Sequence, residues 1–244
     1  MIFFKSKTKE YEKRIKRLKK RNAALERKLG KSRRMENIME SAARRNPGVR
    51  TVIDVGAAKG WFSGLAQDTY PGSHLLLFEP QTFHREQLEA FCKERENAAW
   101  VAAAAGRERG TIFFDATDPF GGQASYTAYE SNNIEVPVTT IDLEVAERGL
   151  PGPYLIKLDT HGFEVPILDG ATETLKQTSV LILECYNWRM APECLLFDEM
   201  VVFLRERGFR CVDASSPHML KGTDDRFWVD LVFTRGEDKP FEES

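Results

Sequence analysis

Two apolar runs that each lead to a carboxylate constrain the fold of this chain more than any other feature. The first run, Val52–Val55, contains Asp54 and passes into the glycine-bounded turn Gly56–Gly60, after which a helical pattern begins. The second run, Leu75–Phe78, ends at Glu79, which lies 25 residues after Asp54. In an α/β sheet, the part that holds a nucleoside consists of a strand, a glycine turn, a helix and a second strand that ends in a lone carboxylate. The sequence therefore predicts an α/β fold with a nucleoside site.

The glycine turn excludes the two common phosphate-binding loops. A dinucleotide loop, G-x-G-x-x-G, needs its middle glycine so that the backbone can touch a pyrophosphate, and here Ala58 stands at that place. Gly60-Trp61 does not continue as the G-K-[ST] of a P-loop. A nucleoside without a phosphate chain fits both observations, and S-adenosylmethionine is the cofactor we expect.

The residues expected to contact this cofactor lie in the glycine turn and at the carboxyl ends of three strands. Glu79 is predicted to accept hydrogen bonds from the ribose hydroxyls. Asp54 is predicted to orient the turn or to bond the methionine part of the cofactor, and a carboxylate there also suits the positive end of the helix dipole. The full set is Asp54, Gly56, Ala57, Gly60, Trp61, Glu79, Pro80 and Ala104.

After Gly48 the sequence alternates between strand and helix patterns. Five apolar runs suit parallel strands buried on both faces: Thr51–Val55, His74–Glu79, Ala99–Ala104, Tyr154–Asp159 and Val180–Glu184. The predicted helices are Trp61–Thr69, Thr82–Glu94, Val165–Leu175 and Glu193–Arg207. An insertion carries the strands Thr111–Asp115 and Glu135–Thr139 around a Gly/Pro-rich loop that could cover a ligand. Phe209–Asp213 and Phe227–Thr234 are expected to close the sheet as antiparallel edge partners.

Charge divides the chain into two parts. Residues 1–50 carry 18 Lys and Arg against 5 Asp and Glu, a net +13, whereas the remaining 194 residues carry 17 against 32, a net −15. The breaker sequence Asn46-Pro47-Gly48 lies at the junction. We therefore predict a basic helical or coiled-coil segment over residues 1–46 and a catalytic domain over residues 47–244.

The basic segment has three interpretations. Good helix formers dominate it, and an a/d heptad seam predicts a coiled coil, hence a homo-oligomer; the seam is Tyr11, Ile15, Leu18, Asn22, Leu25 and Leu29. Fewer than three or four clean heptads leave open a solvated basic helix that packs on the acidic domain. A third interpretation joins Phe3 and Phe4 to the basic helix as a peripheral membrane anchor.

Acidic residues follow most of the predicted strands, at the sheet edge where ligands of open α/β sheets bind. Besides Asp54 and Glu79, these are Asp159, in the segment Leu155–Glu164, and Glu184. His161 follows Asp159 by two residues. The carboxyl ends of the fourth and fifth strands are therefore a second candidate site.

The segment Leu155–Glu164 resembles the FkbM family of S-adenosylmethionine-dependent methyltransferases. Four other segments share this resemblance, in the right order: Val52–Trp61, Leu77–Pro80, Val136–Asp142 and Leu181–Glu184. The resemblance covers about residues 51–185 and includes the family's D-x-x-G-x-E signature as Asp159, Gly162 and Glu164. It implies a class I methyltransferase (Rossmann-like) fold with a seven-stranded sheet whose last strand is antiparallel. It also implies O-methylation, usually of a hydroxyl on a sugar or natural product. The family's G-A-N-x-G turn differs here, because Ala58 replaces the asparagine.

Methyl transfer to an alcohol gives Asp159 and His161 a chemical role. The acceptor oxygen must lie in line with the methyl group, and its proton must leave as the new bond forms. Asp159 is predicted to position the acceptor or to take the proton, and His161, with an unperturbed pKa near 6.5, is the second candidate base. A divalent metal held by Asp159 and Glu184 is the alternative, since oxygen ligands suit Mg²⁺, but two strand-end carboxylates alone do not make a site, so no metal is predicted. The acceptor expected is a small molecule or a glycan.

Other function classes remain open at this point. The +13 arm suits a nucleic-acid-binding protein or an RNA methyltransferase, but the acidic domain and the absence of an N-P-P-Y or D-P-P-Y motif make nucleic acid a poor partner. A catalytically inactive scaffold would not need the cofactor residues. No secretory signal and no long apolar run is visible, so we expect a cytoplasmic protein, with the cytosolic face of a membrane as the alternative.

Overall fold

The computed structural model describes residue 21 and residues 35–129 and 133–236. The chain forms two compact units, Met1–Asn37 and Ile38–Ser244. Residue 21 and residues 35–45 are helical, and we call the latter α1. The heptad seam lies outside the described residues, so the basic helix and the coiled coil stay predictions, as does the division at residue 46.

The second unit holds twelve strands and, after α1, six further helices among its described residues. The strands are β1 Thr51–Val55, β2 His74–Phe78, β3 Ala98–Val101, β4 Ala104–Ala105, β5 Gly110–Asp115, β6 Gln123–Ser125, β7 Asn133–Thr139, β8 Tyr154–Leu158, β9 Thr178–Tyr186, β10 Phe209–Ala214, β11 His218–Met219 and β12 Phe227–Arg235. The helices are α2 Trp61–Thr69, α3 Arg85–Lys93, α4 Ile141–Glu147, α5 Glu164–Asp169, α6 Thr172–Lys176 and α7 Phe197–Arg205.

The main sheet follows the order β10-β12-β9-β8-β1-β2-β3, and β11 pairs with β12 outside this path. β1 pairs in parallel with both β2 and β8, and β12 is antiparallel to its two neighbours, β9 and β10. The α/β fold and the antiparallel last strand are confirmed. The sheet is mixed and has eight strands rather than the predicted seven, and β12 lies inside it rather than at an edge.

The order of strands fixes where a ligand can bind. The chain builds β1, β2 and β3 toward one side and then returns to place β8 and β9 on the other side of β1. All five residues of β1 and all five of β8 are buried, as expected for central parallel strands covered on both faces. The crevice beyond the carboxyl ends of β1 and β8, where strand order reverses, is therefore the expected site.

The expected strand Ala99–Ala104 is divided between two sheets. β3 ends at Val101, and Ala104 belongs to β4, which starts a second, four-stranded sheet of order β4-β7-β5-β6. A run of alanines carries no periodic signal that marks where a strand ends. The prediction that Ala104 ends the third strand was therefore wrong, although Ala104 is buried.

Two predicted helices are interrupted. Residues Thr82–His84 form a 3-10 turn before α3, and α5 ends at Asp169, followed by Gly170, before α6 begins. A Cβ on Gly170 would lie 2.0 Å from the carbonyl oxygen of Gly106, so the two backbones are in direct contact there. This contact with the second sheet explains the break, which helical periodicity could not reveal.

The helical residues 38–45 pack within the second unit. Ile38, Met39 and Ala42 are buried, and the Ser41 hydroxyl donates a hydrogen bond of 2.9 Å to Asp213 in β10. Arg45 forms an ion pair of 3.2 Å with the same carboxylate. Among the described residues, no helix combines the length and the apolar composition needed to cross a membrane.

Candidate active site

The glycine turn after β1 is held in a conformation that side chains rarely adopt. Gly56 and Gly60 have φ angles of 80° and 73°. A Cβ on Gly56 would lie 2.2 Å from the carbonyl oxygen of Asp159, at the end of β8. Ala58 has a φ of 46° despite its side chain. The turn therefore needs glycine where the backbone crosses β8, and it brings the two predicted sites into contact.

Glu79 lies at the end of β2 and faces this turn. Its Oε2 accepts a hydrogen bond of 2.9 Å from the Ala58 backbone N–H, and its Oε1 accepts one of 2.9 Å from the Gln81 N–H. The residue is buried, and burial raises the pKa of its carboxyl although the two backbone donors act in the opposite direction. Each carboxylate oxygen keeps a lone pair for a further donor.

Asp54 joins β1 to the start of α2. Its Oδ2 accepts a hydrogen bond of 2.7 Å from the Ser63 hydroxyl, while its buried Oδ1 has no hydrogen-bond partner. Burial raises the pKa of this carboxyl, and the nearby Lys157 ammonium opposes that shift. A buried carboxylate oxygen without a partner is costly, and a cationic or N–H group of a ligand would satisfy it.

The turn after β8 carries the second predicted site. Lys157, a buried residue of β8, donates a hydrogen bond of 2.8 Å to Oδ2 of Asp159. Burial would raise the pKa of Asp159, but the ammonium of Lys157 holds it well below its usual range. His161 has a left-handed backbone with a φ of 54° and directs its ring back toward Asp159, with 3.7 Å between Nε2 and Oδ1. Lys157 is thus the buried cationic partner of Asp159.

Glu184 of β9 completes this cluster. Its Oε2 lies 3.7 Å from Nε2 of His161, and the same oxygen accepts a hydrogen bond from the Tyr186 hydroxyl. Burial, followed by the charge of Asp159, raises the pKa of Glu184 well above its usual range. The side chain of Asp159 is 38 % exposed whereas that of Glu184 is 14 % exposed, so Asp159 is the more open to a ligand.

Glu164, the last residue of the signature, braces the turn from below. Its Oε1 accepts hydrogen bonds of 3.1 Å from the Gly162 N–H and 3.0 Å from the Thr160 hydroxyl. Glu164 is buried, and neither of these two bonds involves the side chain of Asp159 or His161. These two bonds hold the turn in its conformation.

A loop of the second sheet covers the strand ends. The carbonyl oxygen of Pro119 accepts a hydrogen bond of 3.2 Å from Nε2 of Gln81 and lies 2.6 Å from Nε2 of His84. The carbonyl oxygen of Gly122 lies 3.1 Å from Nδ1 of His161. The loop thus spans from the end of β2 to the turn after β8, as the Gly/Pro-rich composition suggested.

The structure brings together most of the residues predicted from sequence. Glu79 contacts the glycine turn through Ala58, and Asp159 and His161 lie side by side. Trp61 begins α2 with 54 % of its surface exposed, and Pro80 is half-buried after β2. Cofactor contacts of these residues stay predictions. Gly122 and Tyr186 were not predicted as site residues. Gly122 contacts His161 across 39 residues, and no local pattern in β9 marks the bond from Tyr186 to Glu184.

These groups fit S-adenosylmethionine. The unpartnered Oδ1 of Asp54 suits the ammonium of its methionine part, and Glu79 retains acceptor capacity for two ribose hydroxyls. The N-terminus of α2 has no side-chain cap and no acidic residue in its first turn, so its N–H groups suit the cofactor's carboxylate.

Several solved structures are similar to this chain. A fibrillarin pre-rRNA processing protein of Methanococcus jannaschii has a TM-score of 0.48 at 14% identity, with 77% of this chain and 66% of that chain covered. The magnesium protoporphyrin IX methyltransferase of Synechocystis with bound S-adenosylmethionine has a TM-score of 0.47 at 12% identity, covering 85% and 81%. A precorrin-6y C5,15-methyltransferase of Geobacter metallireducens has a TM-score of 0.44 at 15% identity, covering 82% and 87%. No curated protein sequence matches the chain.

The sequence also matches a family model. The methyltransferase FkbM domain covers residues 54–211, which is more than half of the 244 residues and includes both sites. The match confirms the resemblance drawn from the motifs, and with it the predicted cofactor. The chain therefore belongs to the FkbM methyltransferase family and uses S-adenosylmethionine.

Proposed function

We propose that this methyltransferase transfers the methyl group to a hydroxyl oxygen of a sugar, glycan or natural-product acceptor. The observation that carries the proposal is the contact between the two sites. The glycine turn that would hold the cofactor touches the backbone of Asp159, whose side chain is partly exposed beside His161 and Glu184. Groups that attract a hydroxyl proton thus lie next to the cofactor turn.

The residues divide the work between them. Glu79 and Asp54 hold the two ends of the cofactor, which supplies a methyl group on a sulfonium sulfur. Asp159, kept ionised by Lys157, accepts the hydrogen bond of the acceptor hydroxyl and so directs its oxygen toward that methyl group. Positioning of this kind can supply a large part of the rate enhancement. The cluster of Asp159, His161 and Glu184 draws the hydroxyl proton away as the oxygen–carbon bond forms.

A neutral hydroxyl acceptor agrees with the chemistry at the strand ends. The family resemblance implies sugar or natural-product hydroxyls, and the sequence Asp159-Thr160-His161-Gly162 lacks the post-strand motifs of base methylation. The loop that contains Pro119 and Gly122 lies over the strand ends and would shield the reacting atoms from water.

Cofactor binding is the first test. We would titrate the full chain with S-adenosylmethionine and S-adenosylhomocysteine by calorimetry, together with Glu79→Ala. Micromolar binding that is lost in the variant is expected. A folded wild-type protein that binds neither compound would contradict the assignment of the cofactor site.

Methyl transfer is the second test. The chain is incubated with deuterated-methyl S-adenosylmethionine and a panel of sugars and hydroxylated natural products, and mass spectrometry locates the label. Asp159→Asn should abolish labelling of the hydroxyl while retaining cofactor binding, whereas Asp68→Asn, an exposed carboxylate on α2, should change neither. Labelling of nitrogen or carbon alone, or of RNA alone, would refute the proposal.

The partners of the basic segment are part of the same proposal. We expect the heptad positions between Tyr11 and Leu29 to form a homo-oligomer, with contact to an anionic membrane surface as the alternative. Light scattering on the full chain tests the first, and sedimentation with anionic vesicles tests the second.

A further inference from the structure

We propose that Asp159, His161 and Glu184 bind a divalent cation of the Mg²⁺ or Mn²⁺ type, which holds the acceptor hydroxyl. The role of the cation rests on the proposed function, but binding of the cation does not. The three residues come from the turn after β8 and from β9, and each offers one ligand atom within 4.8 Å of the other two.

The spacing of the ligand atoms suits one metal ion. Nε2 of His161 lies 3.7 Å from Oδ1 of Asp159 and 3.7 Å from Oε2 of Glu184. In an octahedral site with bonds of about 2.1 Å, adjacent ligand atoms lie about 3.0 Å apart and opposite ones about 4.2 Å apart. The two observed separations fall between these values, so each would have to change by about 0.5–0.7 Å to complete the coordination.

The histidine ring is already oriented as a ligand. The carbonyl oxygen of Gly122 lies 3.1 Å from Nδ1 of His161, so Nδ1 carries the proton in the neutral ring and Nε2 presents its lone pair to the two carboxylates. A lone pair facing two carboxylates is unfavourable unless a proton or a cation lies between them, and a divalent cation would satisfy all three groups at once. In metal-binding histidines, the N–H of the second ring nitrogen regularly donates a hydrogen bond to such a carbonyl group.

The carboxylates are supported in the same way. Lys157 binds Oδ2 of Asp159 and leaves Oδ1, the oxygen that faces His161, without that partner. Tyr186 donates to Oε2 of Glu184, which holds the side chain in place and leaves the oxygen a further lone pair. Carboxylates that bind metal ions are usually held by hydrogen bonds of this kind.

The third ligand is the reason why the sequence did not predict this site. Two carboxylates at strand ends are common without a metal, and the left-handed backbone of His161 turns its ring toward them. A bound cation would coordinate the acceptor hydroxyl and lower its pKa. With the cation bound, its three ligands would position the hydroxyl instead of taking its proton. The O–H bond would break with loss of the proton to solvent, and the oxygen would take the methyl group as the carbon–sulfur bond breaks.

Metal binding can be measured without knowing the acceptor. Metal-free full-length protein is titrated with Mn²⁺, followed by the loss of the free-ion electron paramagnetic resonance signal and by calorimetry. One equivalent should bind, and Mg²⁺ should compete for it. Glu184→Gln and His161→Gln should weaken Mn²⁺ binding by at least ~10-fold, whereas the same type of change at Glu193, in the segment after β9, should leave it within about twofold of wild type.

Cofactor binding and thermal unfolding show that each variant is folded. Absence of Mn²⁺ binding up to millimolar concentration would overturn the inference, and so would equal affinity in wild type and Glu184→Gln. If hydroxyl methylation then proceeds in the presence of a chelator, the proposed function stands without the cation. If Mn²⁺ binds as expected and no hydroxyl is methylated, the cation site stands and the proposed function fails.

Discussion

The carboxylate of Glu79 has two tasks at once. It fixes the glycine turn through the Ala58 N–H and the loop after β2 through the Gln81 N–H, and it is expected to receive the ribose hydroxyls on its remaining lone pairs. Only an ionised carboxylate can accept all four bonds. Ribose binding and the shape of the turn therefore depend on the same charge.

This dependence predicts the effect of pH on cofactor affinity. Burial raises the pKa of Glu79 in the free protein, so protonation as the pH falls through that value removes acceptor sites, and affinity should fall with it. Above that pKa the affinity should be constant. Glu79→Gln should lower affinity by about 10- to 100-fold, since hydrogen bonds to a charged group are worth about 1.5–3 kcal/mol. Calorimetry across a pH series tests this, and a variant that binds as wild type does would contradict it.

Gly56 gives a sharper prediction. Gly56→Ala would place a Cβ 2.2 Å from the Asp159 carbonyl oxygen in addition to imposing a left-handed backbone. Gly72→Ala is the matched control, because Gly72 has nearly the same φ of 83° and nothing within 4 Å. The control should lose roughly 1 kcal/mol of stability. Gly56→Ala should lose more and should also lose cofactor binding, as measured by thermal unfolding and calorimetry. Equal losses in the two variants would show that the contact does not matter.

At the level of the elements, Asp142, the last residue of the segment Val136–Asp142, joins α4 to α6. Its Oδ1 accepts a hydrogen bond of 2.7 Å from the Thr174 N–H and its Oδ2 one of 2.9 Å from the Glu173 N–H. A residue of α4 thus caps α6, while Thr140 caps α4 by accepting from the Leu143 N–H. The motif is a structural clamp between two helices.

Asp142→Ala should therefore destabilise the protein without disturbing the cofactor. Loss of a cap costs about 0.5–2 kcal/mol, so the melting temperature should fall while the affinity for S-adenosylmethionine stays unchanged. Glu147→Ala, in the same helix as Asp142, removes an exposed ion pair with Arg109. It should lower the free energy of unfolding by at most about 1 kcal/mol. A loss of cofactor affinity in Asp142→Ala would show that the clamp also shapes the site.

The elements that could be predicted from sequence are those with strong local signals. β1 and α2 have the bounds that the apolar run and the glycine turn indicated. The third strand was misjudged because alanine carries no strand signal, and α5 and α6 because the break at Gly170 follows from a backbone contact with Gly106. Tertiary contacts of this kind leave no trace in local periodicity.

The same distinction holds for the candidate site across the whole molecule. The predicted cofactor residues lie within one strand–turn–helix–strand unit, so local sequence was enough to find Asp54 and Glu79. The cluster at Asp159 depends on the pairing of β8 with β9 and on a loop of the second sheet that brings Gly122 to His161. Asp159 and His161 are neighbours in sequence, and the rule for strand ends placed Glu184 at the same edge of the sheet. Gly122, in contrast, lies 39 residues from His161, and no local pattern pairs the two.

Truncation tests where the catalytic unit begins. Deleting residues 1–34 should preserve folding and cofactor affinity, since the second unit starts at Ile38. Deleting residues 1–46 also removes the buried side chains of Ile38 and Met39, a loss of about 3–6 kcal/mol. The melting temperature of the longer deletion should fall by at least ~5 °C. Equal stability of the two truncated proteins would place the boundary at residue 46 instead.

The second sheet has a consequence for how the enzyme can change over evolutionary time. β4 to β7 pair among themselves, whereas β1, β2 and β8 keep an unbroken register of their own. Insertions, deletions and loop exchanges between Ala104 and Thr139 that keep the contacts of Pro119 and Gly122 can therefore accumulate without shifting the methyl-donor site. Related proteins can therefore diversify the molecules that they modify while they keep the same methyl-donor site. Recombination in the laboratory can exchange the same segment.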